Sequence, residues 1–484
     1  ADRLARRAFR AERPKPGEVK ATPVPPIQTF VLANGLQVYL VEQQLPTVLM
    51  FFEWDYGTIN DPRGKTGMAS LCGDLMDEGT KSLDKAAFSA KQADHAVSIW
   101  TSPGDESTFI GVRALKRELG PALDLAVEML LEPGMRESDY KRLVEQEKAW
   151  IEQSKASPSS IAYRVFDSLV WGGAHVYGKI ETAKSVDAVK LDDCNKWVAK
   201  LEPEGARLWV AGKISAQEVR EQLEPRFENW TGKAPKRAKI GAAKPGKGTI
   251  FFVHVDGAAQ SQILVGHPGP NRDTPDYEAS QLMTAIFGGS FSSRLNMNLR
   301  EDKGWAYGAR GGFSYSRGGS EFTAGSSVRT DATAGALREI AKEIEIMRST
   351  APTKEELSRE QQGALLAMPA NFATATRTLF SFRDLAFHDL PMDWYEGHQQ
   401  RLRAVDTAAV QKAAQEHLQS SDFVVLVVGD ATVVLDEVQK IADEKLFGRG
   451  GLVFLDADGM PIEPPKLAKP DSKPAAKADD KPKQ

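Results

Sequence analysis

Two segments of the chain are built alike. ARLWVAGKISAQEVREQLE (206–224) and FVVLVVGDATVVLDEVQKIA (423–442) each pass from an apolar, strand-like run through a glycine, Gly212 or Gly429, into an amphipathic helical pattern. A repeat inside 484 residues constrains the fold more than any local motif, because each copy needs its own strands and helices to bury it. The first half opens with FVLANGLQVYLVE (30–42), an Asn-Gly hairpin signal between alternating apolar residues, and continues with the strand-like TVLMFFEWDYG (47–57). Helical periodicity predicts helices near 67–77, 84–94, 118–131, 137–155 and 159–170. The second half repeats the order, with strands GTIFFVHVDG and SQILVGHPG, a helix in DYEASQLMTAIFGG, a strand in RGGSEFTAGSSV, and helices near 331–348 and 353–367.

This patterning predicts an α+β protein of two halves of similar build. A basic, glycine- and proline-containing stretch, 231–248, has the composition of a linker between a first domain, 27–230, and a second, 249–446. Residues 1–26 read as a surface arm, with a transit peptide as the alternative reading of the basic opening ADRLARRAFRAERPKP. Residues 447–484 read as an extension whose Lys/Pro/Ala/Asp-rich part, from about 464 onward, is expected to be disordered.

The net charge of -4 on 62 basic and 66 acidic residues gives no global field that favours nucleic acid, and no apolar stretch has the length of a membrane span. Cys72 and Cys194 are too few for a disulfide framework or a zinc ribbon, and a single bridge between them stays open. None of the seven histidines, at 95, 175, 254, 267, 388, 398 and 417, stands three or four residues from another, the spacing of a helical metal pair.

Two segments carry chemical information. GMASLCGDLMDEGT (67–80) is an apolar helix followed by Gly79-Thr80, with Ser70, Gly73 and Asp74 at its polar positions. GGSFSSRLNMNLREDKGWAYGARGGFSYS (288–316) combines Gly288-Gly289, Arg294-Leu295, Leu299-Arg300, Gly304 and Ala306-Tyr307. Together, inside a duplicated chain, they resemble the M16 peptidase family of insulinase and mitochondrial processing peptidase. That resemblance implies two homologous α/β-sandwich halves of LuxS/MPP-like type joined by a linker into a half-shell.

Zinc peptidases of this family carry an inverted H-x-x-E-H motif, in which two histidines on one helical face bind zinc and the glutamate acts as general base. Aligned on Gly79-Thr80, those positions are Ser70, Gly73 and Asp74, so both nitrogen ligands and the base are absent. The family's later zinc glutamate falls on Trp150 when counted back from Pro158, with Glu145, Glu147 and Glu152 on the same helix as alternatives. No metal is expected in this chain. An oxygen-only site at Asp74 with a nearby glutamate would suit magnesium or calcium rather than zinc, and a capping or solvated acid is the simpler reading. His175 in WGGAHVYGK, and the aromatic- and Met-bearing stretch 368–395, read as structural.

In the second half the resemblance places Arg300 and Tyr307 at the family's substrate-facing Arg and Tyr, and Gly288, Gly289 and Ser290 in a substrate loop. A guanidinium and a phenol donate hydrogen bonds to a carbonyl or its oxyanion without changing charge at neutral pH. The resemblance implies a non-catalytic, substrate-binding subunit of a heterodimeric zinc peptidase, whose zinc sits in a paralogous partner bearing H-x-x-E-H and whose substrate is a peptide or unfolded polypeptide. A catalytically inactive peptide-binding scaffold is the alternative. The expected location is the bacterial periplasm, with the mitochondrial matrix as the alternative.

Overall fold

The structure is a computed structural model that describes residue 17 and residues 20–466. Most of the predicted N-terminal arm and nearly all of the predicted disordered tail therefore lie outside the described residues. The first half holds strands β1 (Gln28–Val31), β2 (Gln37–Glu42), β3 (Thr47–Trp54), β4 (Ser98–Pro103), β5 (Thr108–Leu115) and β6 (Arg207–Gly212). Its helices are α1 (Met68–Met76), α2 (Lys85–Asp94), α3 (Leu119–Leu131), α4 (Glu137–Ser154), α5 (Pro158–Trp171), α6 (Ala183–Asp187), α7 (Leu191–Val198) and α8 (Ala216–Leu223). The second half holds β7 (Ile250–His254), β8 (Gln260–Gly269), β9 (Ala306–Ser316), β10 (Gly319–Arg329) and β11 (Val424–Gly429), to which β12 (Leu452–Leu455) and β13 (Pro461–Ile462) are added. Its helices are α9 (Tyr277–Thr284), the single turn α10 (Arg294–Asn296), α11 (Thr333–Ser349), α12 (Lys354–Ala367), α13 (Ala375–Phe387), α14 (Trp394–Ala404), α15 (Thr407–His417) and α16 (Ala431–Asp443).

The duplication is visible in the sheets. The first has the order β1-β2-β6-β3-β5-β4, and the second β13-β12-β7-β11-β8-β10-β9. In each, the strand of the repeated segment runs parallel to one neighbour, β6 to β2 and β11 to β7, and antiparallel to the other, β3 or β8. The Asn-Gly signal forms the expected turn: Gly35 sits at φ 87°, a conformation glycine adopts without strain, and the Asn34 side chain accepts the Leu36 N–H.

Why the repeated strands are apolar at every residue follows from their packing. Along β11, Val425 and Val427 point into the second half's own helical core, while Val424, Leu426 and Val428 meet Ile161, Val165 and Phe166 of α5. Along β6, Leu208 and Val210 enter the first core, while Trp209 and Ala211 meet Leu379, Phe382 and Leu385 of α13. Each half thus lends one helix to the outer face of the other's sheet, so both faces are covered and the run is apolar from Leu208 and from Val424 onward. Burying an apolar side chain is worth about 1.5–3 kcal/mol, so this exchange contributes more to holding the halves together than the linker does.

Charge reinforces the contact. Buried Glu106 of the first half accepts from the Arg317 backbone N–H and Nε and from the Tyr177 hydroxyl, and Glu53 bonds Arg383 at 2.8 Å.

Three expectations are corrected. Residues 452–462 are not a separate extension, because β12 pairs in parallel with β7 and carries β13. The linker is not free: Lys244 N and Gly246 N donate to Trp171 O and Leu169 O at the end of α5, and Arg237 joins Asp55 to Asp389. Strands β4, β5 and β9 went unforeseen; β4 is short and β9 glycine-rich, so neither carries a clear apolar alternation.

Candidate functional site

Helix α1 begins at Gly67, φ 93°, where the Asp61 carboxylate accepts the N–H groups of Gly67 (2.9 Å) and Ala69 (3.0 Å), two donors a helix start leaves unpaired. Met68, Ala69, Leu71, Cys72, Leu75 and Met76 are buried, which fixes the helix against β4, α4 and α7. Cys72 forms a disulfide with Cys194 of α7, and both are fully buried.

Of the three polar positions, Ser70 is half-buried, Asp74 is exposed and Gly73 is buried. A Cβ at Gly73 would lie 2.2 Å from Cγ and 2.7 Å from Cδ of Pro103, at the end of the edge strand β4. The space a side chain at Gly73 would take is therefore occupied by a proline ring. With a hydroxyl, no side chain and a carboxylate in succession, and no nitrogen donor among them, these residues do not fit a zinc centre of the H-x-x-E-H kind.

What surrounds Asp74 is carboxylate. Partial burial, and then Glu78, push its pKa up. On α4, Val144 and Ile151 are buried, and Glu147 lies on the same face between them. Burial, and then Asp74, raise the Glu147 pKa. The α4 residue turned toward Asp74 is thus Glu147 and not Trp150, which is 56% exposed and lines an outer groove with Tyr163. The 144–147–151 spacing carries this signal in the sequence. Burial first, followed by Glu147 and Asp61, pushes Glu181 up to about 8, and its buried Oε1 has no hydrogen-bond partner.

The second segment is folded more tightly. Leu295 and Leu299 anchor it in the core, and Arg294 makes two bonds to Glu356, Nε–Oε1 at 2.7 Å and Nη2–Oε2 at 2.9 Å. Asn296, 3% exposed, donates to Phe291 O (2.7 Å) and accepts the Ala309 N–H (3.0 Å), tying the loop to β9. Gly288 packs so closely on β9 that a Cβ there would lie 2.4 Å from Gly311 N. With Gly289 it lines a cleft of about 260 Å³ that also holds Arg310 and Phe313, while the Ser290 hydroxyl donates to Glu360.

Arg300 and Tyr307 stand out from this frame. The Arg300 side chain is 41% exposed, lies over the Phe291 ring at 4.8 Å and pairs with Glu301 at 3.1 Å. Tyr307, at the start of the edge strand β9, is 90% exposed. Neither Asn296 nor Phe291 was singled out from the sequence, because their roles depend on what lies across the loop. His175 is structural as expected: it caps the turn at Val176–Gly178 and stacks on Trp171, and its Nε2 bonds Gly241 O. The emptied helix and the Arg/Tyr segment lie in different halves of the chain.

Comparison with known proteins places this architecture. The family profile described as the peptidase M16 inactive domain matches residues 188–364. A protein named non-peptidase homolog YmxG, from Helicobacter pylori, is 22% identical over 255 residues, which span 52% of this chain and 58% of the relative. The chain thus covers less than two thirds of that relative's length. Among solved structures, a peptidase M16 inactive domain from Pseudomonas fluorescens superposes with a TM-score of 0.77 at 23% identity, covering 84% of this chain and 98% of that one. The periplasmic protease PqqL from Escherichia coli superposes with a TM-score of 0.69 at 13% identity, covering 85% of this chain and 46% of that one. With the inactive-domain match over residues 188–364 and superposition along both halves, the chain has the fold of M16 inactive-domain structures and is similar to the M16 peptidase family.

Proposed function

We propose that this chain is the non-catalytic, substrate-binding subunit of a two-chain M16 zinc peptidase acting on peptides or unfolded polypeptides. The observation that carries this reading is the contrast between the two segments. Pro103 packs against Gly73, where this reading puts the lost general base, whereas Arg300 and Tyr307 are held on a buttressed frame with their side chains in solvent. A phenol left 90% exposed at the head of an edge strand gains little from packing, so its value lies in what it meets outside the chain.

In this reading the two groups complete the site of a paralogue bearing H-x-x-E-H. The guanidinium and the phenol donate to the carbonyl of the scissile bond and to the oxyanion that forms from it, in a cavity closed between the two chains. Zinc and the base belong to the partner, and no step runs through the residues at Ser70–Asp74. The loop at Gly288–Ser290 would border the bound polypeptide. The Cys72–Cys194 disulfide supports an oxidising compartment such as the bacterial periplasm over the mitochondrial matrix. Among the described residues no helix is long and apolar enough to cross a membrane.

The test is purification of the chain from its source with whatever accompanies it, followed by mass spectrometry and a zinc assay. A stoichiometric, zinc-loaded M16 partner bearing H-x-x-E-H is expected. Arg300→Ala and Tyr307→Phe should then lower turnover of the pair about 10²-fold or more while leaving its assembly intact, as loss of an oxyanion donor does. Recovery of the chain alone and without zinc would turn the reading to a peptide-binding scaffold.

A further inference from the structure

Among the described residues two groups bring a histidine and two carboxylates close enough to share an ion: His254 with Asp256 and Asp430, and Asp276 with Glu416 and His417. In the first group two of the three side chains already cap backbone N–H groups. His254 Nδ1 accepts the Ala431 N–H, while Asp430 accepts from Thr432 and from the Gly257 N–H. That group is the cap of helix α16.

The second group is different. Asp276 precedes α9, and Glu416 and His417 end α15, so residues 141 apart in sequence converge where the two helices pack. His417 Nε2 lies 2.7 Å from Asp276 Oδ2, and the histidine side chain is only 13% exposed. The Thr274 hydroxyl donates to Asp276 Oδ1, which orients the carboxylate toward the imidazole. Glu416 is half exposed and held by a 3.6 Å pair with Lys412, so it is free to swing and leaves the site open to solvent on one side. The last turn of α15 presents the negative end of its helix dipole, which favours a cation there.

We propose that Asp276, Glu416 and His417 bind one divalent transition-metal ion of the zinc type. The donor set is one imidazole nitrogen and two carboxylate oxygens, a mixture zinc accepts with a water in the fourth position. One ligand atom from each residue already lies within 4.8 Å of the others. Tetrahedral bonds of about 2.0–2.1 Å set ligand atoms about 3.3 Å apart, so the site forms when Asp276 and His417 separate by about half an ångström and Glu416 turns in. The ion takes the place of the hydrogen bond between His417 Nε2 and Asp276 Oδ2. The site lies on elements other than the emptied helix and the Arg300/Tyr307 segment, and it stands or falls independently of the proposed function.

The experiment is calorimetric titration of the full chain, freed of metal with chelator, with zinc chloride at pH 7. One ion per chain is expected. His417→Gln should abolish the one-to-one binding, and Glu416→Gln, at an exposed position that leaves folding intact, should weaken it at least about tenfold. His254→Gln should leave it unchanged. The absence of saturable one-to-one binding, wild-type affinity in both His417→Gln and Glu416→Gln, or loss of binding in His254→Gln would each overturn the assignment.

Discussion

Gly73→Ala tests the claim that the former base position has been filled rather than merely vacated. In an exposed helix interior this change would stabilise the protein by about 1 kcal/mol, the difference in helix propensity. Here the new methyl would stand 2.2 Å from Pro103 Cγ, 2.7 Å from Cδ and 3.3 Å from Thr101 Cγ2. A proline ring in an edge strand paired with β5 cannot rotate aside, so α1 and β4 must separate. Overpacking of this kind costs about 1–3 kcal/mol, and a value of about 2 offsets the propensity gain and leaves a net loss of about 1 kcal/mol. In a Pro103→Ala background the ring atoms are gone, and the same Gly73→Ala change should stabilise by about 1 kcal/mol. The coupling between the sites is then about 2 kcal/mol, within the range found for residues in contact. Urea unfolding of the four proteins in the cycle, followed by circular dichroism, measures it. Equal stability of Gly73→Ala and wild type, or an undiminished loss in the Pro103→Ala background, would refute the reasoning.

The Cys72–Cys194 bridge closes a long loop, its ends separated by 122 in sequence, so its removal by Cys72→Ala with Cys194→Ala should cost about 2–4 kcal/mol, and thiol titration of the native chain should find both cysteines protected. Glu106→Ala leaves the Arg317 guanidinium at the contact between the halves without its closest carboxylate, and should lower stability by about 3–5 kcal/mol in chemical unfolding. Burial raises the folded-state pKa of Glu181 to about 8, above that of an unfolded glutamate. Its contribution is therefore fully present below about pH 4.3 and is lost as pH rises through about 8. Glu181→Gln should accordingly gain stability relative to wild type on going from pH 4 to pH 8, and a difference that stays flat or runs the other way would contradict this. Arg294 lowers Glu356 to about 2, so the stability Glu356 adds over Glu356→Gln should be present at neutral pH and fade as pH falls from about 4.5 toward 2.

The sequence by itself determined the duplication, because a strand covered on both faces must be apolar at every residue, and 206–212 and 423–429 are nearly so. It also determined the chemistry missing from α1, since a motif is lost when its residue types are lost. What it could not show was which helix covers each strand: the two apolar sets of β6 and β11 look alike in sequence, and only the fold shows that one set meets its own half and the other a helix lent by the opposite half. Which residue of α4 faces Asp74 was hidden for a similar reason. A count along the chain fixes a position only to within the uncertainty of the loops it crosses, whereas burial of Val144 and Ile151 fixes the face that Glu147 shares with them. Pro103 against Gly73, Asn296 between the loop and β9, and His417 against Asp276 join residues distant in the chain or loop-separated, and such contacts leave no periodicity to read. Tertiary structure decided these because they depend on distances between elements, while the sequence records only the order of residues and the solvent preference of each.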